Sequence, residues 1–257
     1  MHDLPQVASR AELRPPDLVT LPSGEPSLAD VFRFMAEAEL RFETLRMRIV
    51  DRRFGAEGEE VETSEVWLRH PGFAKVVTGR NPDTRDIASR DFDVWVTDGE
   101  RVRTYDARTD LRTDRRMPRP PVGSSDERLP LFARTYLPVT RLPSETLADT
   151  FIHPHGFCRN VLGTGIVTQL GTAVLAGERE VIVLRCDHPR TSHVLTDRPD
   201  HWLEVAVDRQ TGLILLLAEH IGRRISRHAE VTSLALDEPV GDEVFAIHVS
   251  PDTKLLY

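Results

Sequence analysis

The stretch after Ser27 carries hydrophobic residues at helical spacing. Apolar side chains recur every three to four positions, which predicts one amphipathic helix over residues 28–43. The positions that carry the pattern are Leu28, Val31, Phe32, Met35, Ala36 and Leu40. Ser27 is expected to cap the helix N-terminus, with Asp30 in the place of the usual Glu or Gln of a capping box.

After this helix the hydrophobic period changes to two, which is typical of β-strands. Leu45, Met47 and Ile49 alternate with arginines, and the segment DFDVWVTDGERVRTYD places two alternating runs around Asp98-Gly99. This arrangement predicts a β-hairpin with a type I′ turn. The segments HWLEVAVD and LILLLAEH, separated by a turn at 209–212, predict an antiparallel meander in the second half.

The order of these elements predicts one mainly β domain of the α+β class. We expect a flexible N-terminal arm over residues 1–26 and a single domain over 27–257. A loop-and-helix insert at about 112–165 contains seven prolines, and short helices are expected near 129–136 and 144–150. Too few helices alternate with strands for a parallel βαβ sheet, so we expect one strongly curved antiparallel sheet with helices against one face.

The phase of the strands predicts which face of the sheet is enclosed. An aliphatic set is expected to line the concave face as candidate ligand-binding residues: Met47, Ile49, Val66, Leu68, Val94, Val96, Val102, Leu203, Val205 and Val207. Trp67, Trp95 and Trp202 are expected on the rim or outer face, where indole nitrogens stay close to water. The helices either fill the concave face as ordinary core or leave a ligand cavity, and the pattern favours ordinary core.

Composition and charge narrow the class of protein. The chain has 257 residues, a formal net charge of −8 and two cysteines. The acidic balance argues against a nucleic-acid binder, and the cysteine count argues against a disulfide scaffold. The sequence shows neither a signal-peptide pattern nor an 18-residue apolar run, so as written it predicts a cytoplasmic protein without a membrane span.

The search for reactive groups yields no catalytic motif, and we predict no catalytic residue, metal site or cofactor. His153, His155 and Cys158 are the most metal-like cluster, but the favoured interpretation is a loop with surface histidines and a buried cysteine. His188, His193 and His201 are expected in a solvent-exposed loop. Whether Cys158 and Cys186 pair is left open by the sequence.

Several segments together resemble the LolA/LolB-like superfamily of lipoprotein carriers and the related RseB-type sigma-E regulatory proteins. They are the helix VFRFMAEAEL leading into TLRMRIV, the hairpin DFDVWVTDGERVRTYDART, and HWLEVAVDRQTGLILLLAEH followed by EPVGDEVFAI. The resemblance implies an unclosed antiparallel half-barrel wrapped over helices, with a cavity for acyl chains or a lipopeptide. It also implies an exported protein, whereas this chain shows no leader or lipidation cysteine.

Three functions follow from these patterns. The leading one is binding or carriage of a hydrophobic small molecule, lipid, acyl chain or lipidated peptide on the concave face, driven by burial of hydrocarbon. The second is an enzyme that uses the same cup to cyclise a hydrophobic biosynthetic intermediate. The third is a lipid-sensing module that binds a lipoprotein or regulatory protein, with an open sheet edge available for strand pairing.

Overall fold

The computed structural model describes residues 18–80, 91–117, 138–175, 177–189, 200–247 and 254–256. Three short α-helices occur among these residues: α1 (Leu28–Ala36), α2 (Leu147–Ile152) and α3 (Pro154–Asn160). The helix expected near residues 129–136 lies outside the described residues, and the one expected near 144–150 corresponds to α2.

Twelve strands form a single sheet. Six lie before or at the start of the predicted insert, whose first residues form a strand rather than a loop: β1 (Thr44–Gly55), β2 (Gly58–Arg69), β3 (Phe73–Arg80), β4 (Phe92–Asp98), β5 (Arg101–Asp106) and β6 (Leu111–Arg116). Five long strands follow it, and a short strand lies near the C-terminus: β7 (Ile166–Leu175), β8 (Arg179–Asp187), β9 (His201–Asp208), β10 (Ile214–Ile221), β11 (Arg224–Leu236) and β12 (Lys254–Leu256).

The sheet consists of two antiparallel meanders joined edge to edge. The strand order is β12-β6-β5-β4-β3-β2-β1-β11-β10-β9-β8-β7, so β1 and β11 form the seam between the halves. All pairs are antiparallel except β12 with β6, which is parallel. Among the described strands, the two end strands β12 and β7 do not pair with each other, so this sheet is not closed into a barrel. The predicted fold class, an open antiparallel sheet with helices against one face, is confirmed.

Helix α1 begins as predicted and ends earlier than predicted. The Ser27 hydroxyl accepts a hydrogen bond from the Asp30 amide, which confirms the cap. The α-helix ends at Ala36, and a 3-10 turn (Ala38–Arg41) replaces its last part. Arg41 fastens this turn by donating to the carbonyls of Phe34 and Val19, so the chain can enter β1 at Thr44.

The hairpin between β4 and β5 forms where it was predicted, with a different turn. Its connection is Gly99-Glu100, and only Gly99 has a positive φ, of 85°. Glycine at the first of two connecting positions is the arrangement of a type II′ turn, whereas type I′ needs a positive φ at both. The type I′ prediction at Asp98-Gly99 is therefore wrong, because Asp98 is still part of β4.

The turn between β9 and β10 fixes α1 on the sheet. Gly212 has a φ of 81°, and a Cβ at this position would lie 2.8 Å from the Phe34 carbonyl oxygen and 3.2 Å from the Met35 Cα. Asp208 organises the same turn, since its carboxylate accepts from the Thr211 amide and pairs with Arg179. A residue with a side chain cannot occupy position 212 without moving α1.

Replacement of Gly212 by alanine tests this contact. We expect Gly212→Ala to lower the free energy of unfolding by more than the roughly 1–3 kcal/mol that a strained backbone alone costs, because the methyl group also displaces α1. The matched control is Gly177→Ala, which has a similar φ of 74° and open space around it. Urea denaturation of both variants measures the difference; equal losses would contradict the proposed contact.

Candidate functional site

Cross-strand register decides which predicted ligand-binding residues share a face. Residues directly opposite each other in neighbouring strands lie on the same side of a sheet. Met47 pairs with Val66, Val66 with Val76, and Val76 with Trp95. These positions and their equivalents across the other strands define the helix-side face, so named because the helices cover it.

Eight of the ten predicted residues lie on this helix-side face. Val102 joins it through Thr97 and Ala74, which connect it to Leu68. On the other half of the sheet, Val205 pairs with Leu217, Leu217 with Ala229, and Ala229 with Asp51 of β1. The eight are Met47, Ile49, Val66, Leu68, Val102, Leu203, Val205 and Val207.

Val94 and Val96 lie on the opposite, outer face, which corrects their predicted place beside Val66 and Leu68. Val94 pairs with Val77 and Val96 with Lys75, the alternates of Val76. The phase cannot be carried from β2 to β4 by counting residues, because the chain between β3 and β4 includes positions 81–90, which belong to none of the described strands. Trp95 alternates with Val94 and Val96, so it lies on the helix side and contributes to the core there. Trp67 and Trp202 lie on the outer face as predicted.

Val94 and Val96 have their own cover on the outer face. The segment 240–247 packs over them through Phe245, with Val240 and Ile247 beside it. Arg69 donates to the Val240 carbonyl and holds Asp242, and Lys75 donates to the Ala246 carbonyl. The outer face around Val94 and Val96 is therefore covered by the chain itself.

The helix-side face is packed against the helices. The predicted residues on it are at most 2% exposed. Helical residues belong to the same apolar cluster: Val31, Met35, Ala148, Phe151, Ile152 and Cys158. The sequence left open whether the helices fill this face or leave a cavity, and in the structure these sheet positions contact protein rather than solvent.

A buried ionic cluster marks one end of the helix-side face. Asp51, only 2% exposed, accepts two hydrogen bonds from Arg227, at 2.9 and 3.0 Å, and also pairs with Arg53. Arg227 contacts Glu219 at 3.5 Å as well. Burial alone would lower the pKa of Arg227, but the hydrogen bonds and the charge of Asp51 outweigh it, and the pKa lies above its usual value. The cluster links β1, β11 and β10 across the seam.

A second buried polar cluster lies within the helix layer. The Glu39 carboxylate is 3.4 Å from Nε2 of His153, and Nδ1 of His153 is 2.9 Å from the Asp149 carboxylate. The Val139 amide donates to Glu39 at 3.0 Å. Burial raises the pKa of Glu39 from 4.5 to about 7, while the neighbouring His153 acts in the opposite direction. We call Glu39, Asp149 and His153 the carboxyl–imidazole cluster.

Two of the candidate metal-like residues are buried and have other partners. His153 is 7% exposed and bound to Asp149, so the expectation that it is a surface histidine is wrong. Cys158 is buried as predicted, with its sulfur 3.6 Å from that of Met35, and burial raises its pKa to about 12. Among the described residues, no three His, Cys, Asp or Glu side chains are placed to hold a metal ion.

The remaining histidines and cysteines do not form a site. His201 lies in β9 and is 3% exposed, which corrects its predicted place in a solvent loop; His188 is exposed, and His193 lies outside the described residues. Cys158 and Cys186 are both buried, and neither forms a disulfide. Burial raises the pKa of Cys186 to about 11, so neither thiol is a ready nucleophile at neutral pH.

Sequence reasoning missed the two buried polar clusters, although each leaves a signal. Asp51 continues the alternation of Leu45, Met47 and Ile49, which places a carboxylate on the enclosed face of β1. Glu39 follows Val31 and Met35 at a spacing of four, on the apolar stripe of the helix. A charge at a position that the pattern reserves for apolar residues indicates a buried partner.

None of the helices in the described part of the chain combines the length and the hydrophobicity that crossing a bilayer requires.

Comparison with known proteins gives matches among solved structures only. A scan against protein-family models found no match, and neither did a search of curated proteins. A crystal structure of MucB is similar at 16% identity and a TM-score of 0.47, with 86% of this chain and 62% of MucB covered. The chain thus spans about three-fifths of the MucB chain. A complex of MucA and MucB from Pseudomonas aeruginosa gives a TM-score of 0.46, also at 16% identity, with 86% of this chain and 60% of that chain covered.

A LolA superfamily protein from Nitrosomonas europaea also matches, at 9% identity and a TM-score of 0.31, over 87% of this chain and 99% of its own. The superfamily that the sequence resembles is thus represented among the similar structures. These structures are at most 16% identical to this chain and their TM-scores are below 0.5, so they do not establish its function.

The ionic cluster at the seam yields a stability prediction. Arg227→Met leaves the Asp51 carboxylate buried with only the half-exposed Arg53 beside it, so we expect unfolding to become easier by about 3 kcal/mol. Arg52→Met, next to Asp51 on β1, removes an exposed pair with Glu59 of β2 and should cost less than about 1 kcal/mol. Chemical denaturation at pH 7 compares them, and similar costs for the two variants would show that the buried cluster carries no special weight.

Proposed function

We propose that the protein binds an apolar ligand, such as a lipid, an acyl chain or a lipidated peptide, on the helix-side face of its sheet. The observation that carries the proposal is an aliphatic sheet face that, in the described residues, is covered by short helices and the turns and loops that join them. The ligand would take the place of helical side chains against the sheet, because these sheet positions are already packed.

The cover is well suited to being displaced. The three α-helices contain 9, 6 and 7 residues. Isolated helices shorter than about 12–15 residues are marginal in water, so their order depends on packing against the sheet. A bound hydrocarbon can supply the same contact to the sheet when the helices move.

Burial of hydrocarbon would drive the exchange of helical side chains for a ligand. Each buried methylene contributes about 0.8 kcal/mol, so a chain of about ten methylenes gains roughly 8 kcal/mol. Eight predicted aliphatic positions spread over β1, β2, β5 and β9 offer a surface for such a chain. The buried ions at Asp51 and Arg227 bound this apolar surface at one end.

A protein partner is a further part of the proposal. One of the similar structures is that of MucB in complex with MucA(peri). For this chain we propose a lipoprotein or a regulatory protein as partner, with the apolar group of a lipidated partner as the part bound.

A single substitution on each face tests ligand binding. Met35→Ala truncates a fully buried side chain of α1, and we expect the variant to bind cis-parinaric acid several-fold more tightly than the wild type because it leaves space beside the sheet. Val96→Ala makes a similar deletion in the outer-face cluster and should leave the affinity unchanged.

Fluorescence titration of delipidated protein measures both affinities, and circular dichroism checks the fold, since Met35→Ala is expected to cost about 2–5 kcal/mol. Absence of probe binding in both the wild type and Met35→Ala would overturn the proposal. An equal gain in Val96→Ala would place the binding elsewhere.

A further inference from the structure

The carboxyl–imidazole cluster joins three separate pieces of the helix layer. Glu39 belongs to the 3-10 turn that follows α1, Asp149 to α2, and His153 to the junction of α2 with α3. The Val139 amide brings the segment that precedes α2 to the same carboxylate. Apart from apolar packing, these polar contacts tie α1 to the other two helices.

The surroundings of Glu39 are poor in compensating charge. Its side chain is 1% exposed and that of His153 is 3% exposed. The titratable groups that face Glu39 are His153 and Asp149, and the backbone amides of Val139 and Thr140 donate to it. Oε1 of Glu39 and Nε2 of His153 have no hydrogen-bond partner in the described residues. Within the described part of the chain, no lysine or arginine is among the groups acting on Glu39.

The number of protons on the cluster therefore sets its net charge. Glu39 is neutral when its carboxyl group is protonated. Loss of that proton places a negative charge in the buried site, 3.4 Å from Nε2 of His153. An uncompensated charge in a buried site is costly, so the deprotonated cluster favours conformations in which water reaches Glu39.

We propose that Glu39, His153 and Asp149 form a proton-controlled latch that holds the helix layer on the sheet and loosens it when the cluster loses a proton. The contribution of Glu39 to stability is full below its unfolded pKa of 4.5 and is lost as the pH rises to about 7. The latch is therefore tight in mildly acidic solution and loose above neutrality. Its role in admitting or releasing an apolar ligand rests on the proposed function.

Amide hydrogen exchange of the full chain tests the latch without any ligand. Protection factors, corrected for the intrinsic pH dependence of exchange, are compared at pH 5.5 and pH 8.5. In the wild type we expect residues 36–42, 138–142 and 147–153 to lose protection by about tenfold or more at the higher pH, since one unit of pKa difference corresponds to a factor of ten. Strands β9 and β10 serve as the internal reference and should change less.

Two variants separate the latch from general effects of pH. Glu39→Gln keeps the shape and stays uncharged, so the three segments should show no excess pH dependence. Glu37→Gln is the matched control: this carboxylate is on the same stretch of chain but pairs with Arg41, and the variant should behave as the wild type. Equal pH dependence in the wild type and Glu39→Gln would overturn the latch. So would a wild type whose three segments do not respond to pH, an outcome that does not require any variant to fold.

Binding of cis-parinaric acid at the same two pH values distinguishes the latch from the proposed function. Probe binding together with exchange that does not respond to pH contradicts the latch alone. A pH-dependent loss of protection that Glu39→Gln abolishes, in a protein that never binds the probe, supports the latch and contradicts the proposed function.

Discussion

The structure depends on the burial of one aliphatic sheet face beneath helices that are too short to be stable alone. The seam between β1 and β11 brings two meanders together, so that apolar positions from both halves form one surface. The helices gain their order from that surface, and the surface is kept from water by the helices. Gly212 shows how close the fit is, because α1 approaches the β9–β10 turn at a distance that leaves no room for a Cβ.

The buried polar groups determine how the strands and helices are positioned relative to one another. Asp51 and Arg227 fix the register of the two central strands, where a shift by one residue would turn either charge to the other face. Glu39 and His153 fix the helices relative to each other. The two clusters differ in how the charge of the buried carboxylate is compensated. In the described residues, two arginines lie beside Asp51, whereas an imidazole lies beside Glu39. Because of this difference, we expect the ion pairs at the seam to stay formed and the helix layer to respond to pH.

Much of the fold is predictable from local patterns. The features that the sequence does not predict have a common physical cause, since they depend on contacts between distant parts of the chain. Ser27, the alternation in β1 and the turn at Gly212 are local features, and each was identified from neighbouring residues. The face of Val94 and Val96 depends on the register between strands that are far apart in the chain, and hydrophobic alternation does not carry that information across positions 81–90. The pairing of Glu39 with His153 joins residues 114 positions apart. Whether helices fill a concave face is a matter of volume, which no sequence pattern measures.

The claim that a ligand replaces the helices on the sheet is tested most directly by hydrogen exchange of the helices with and without a saturating long-chain fatty acid at constant pH. The account predicts that amides of α1, α2 and α3 exchange faster in the bound protein while β9 and β10 stay protected. Helices that remain equally or more strongly protected when the fatty acid is bound would contradict it.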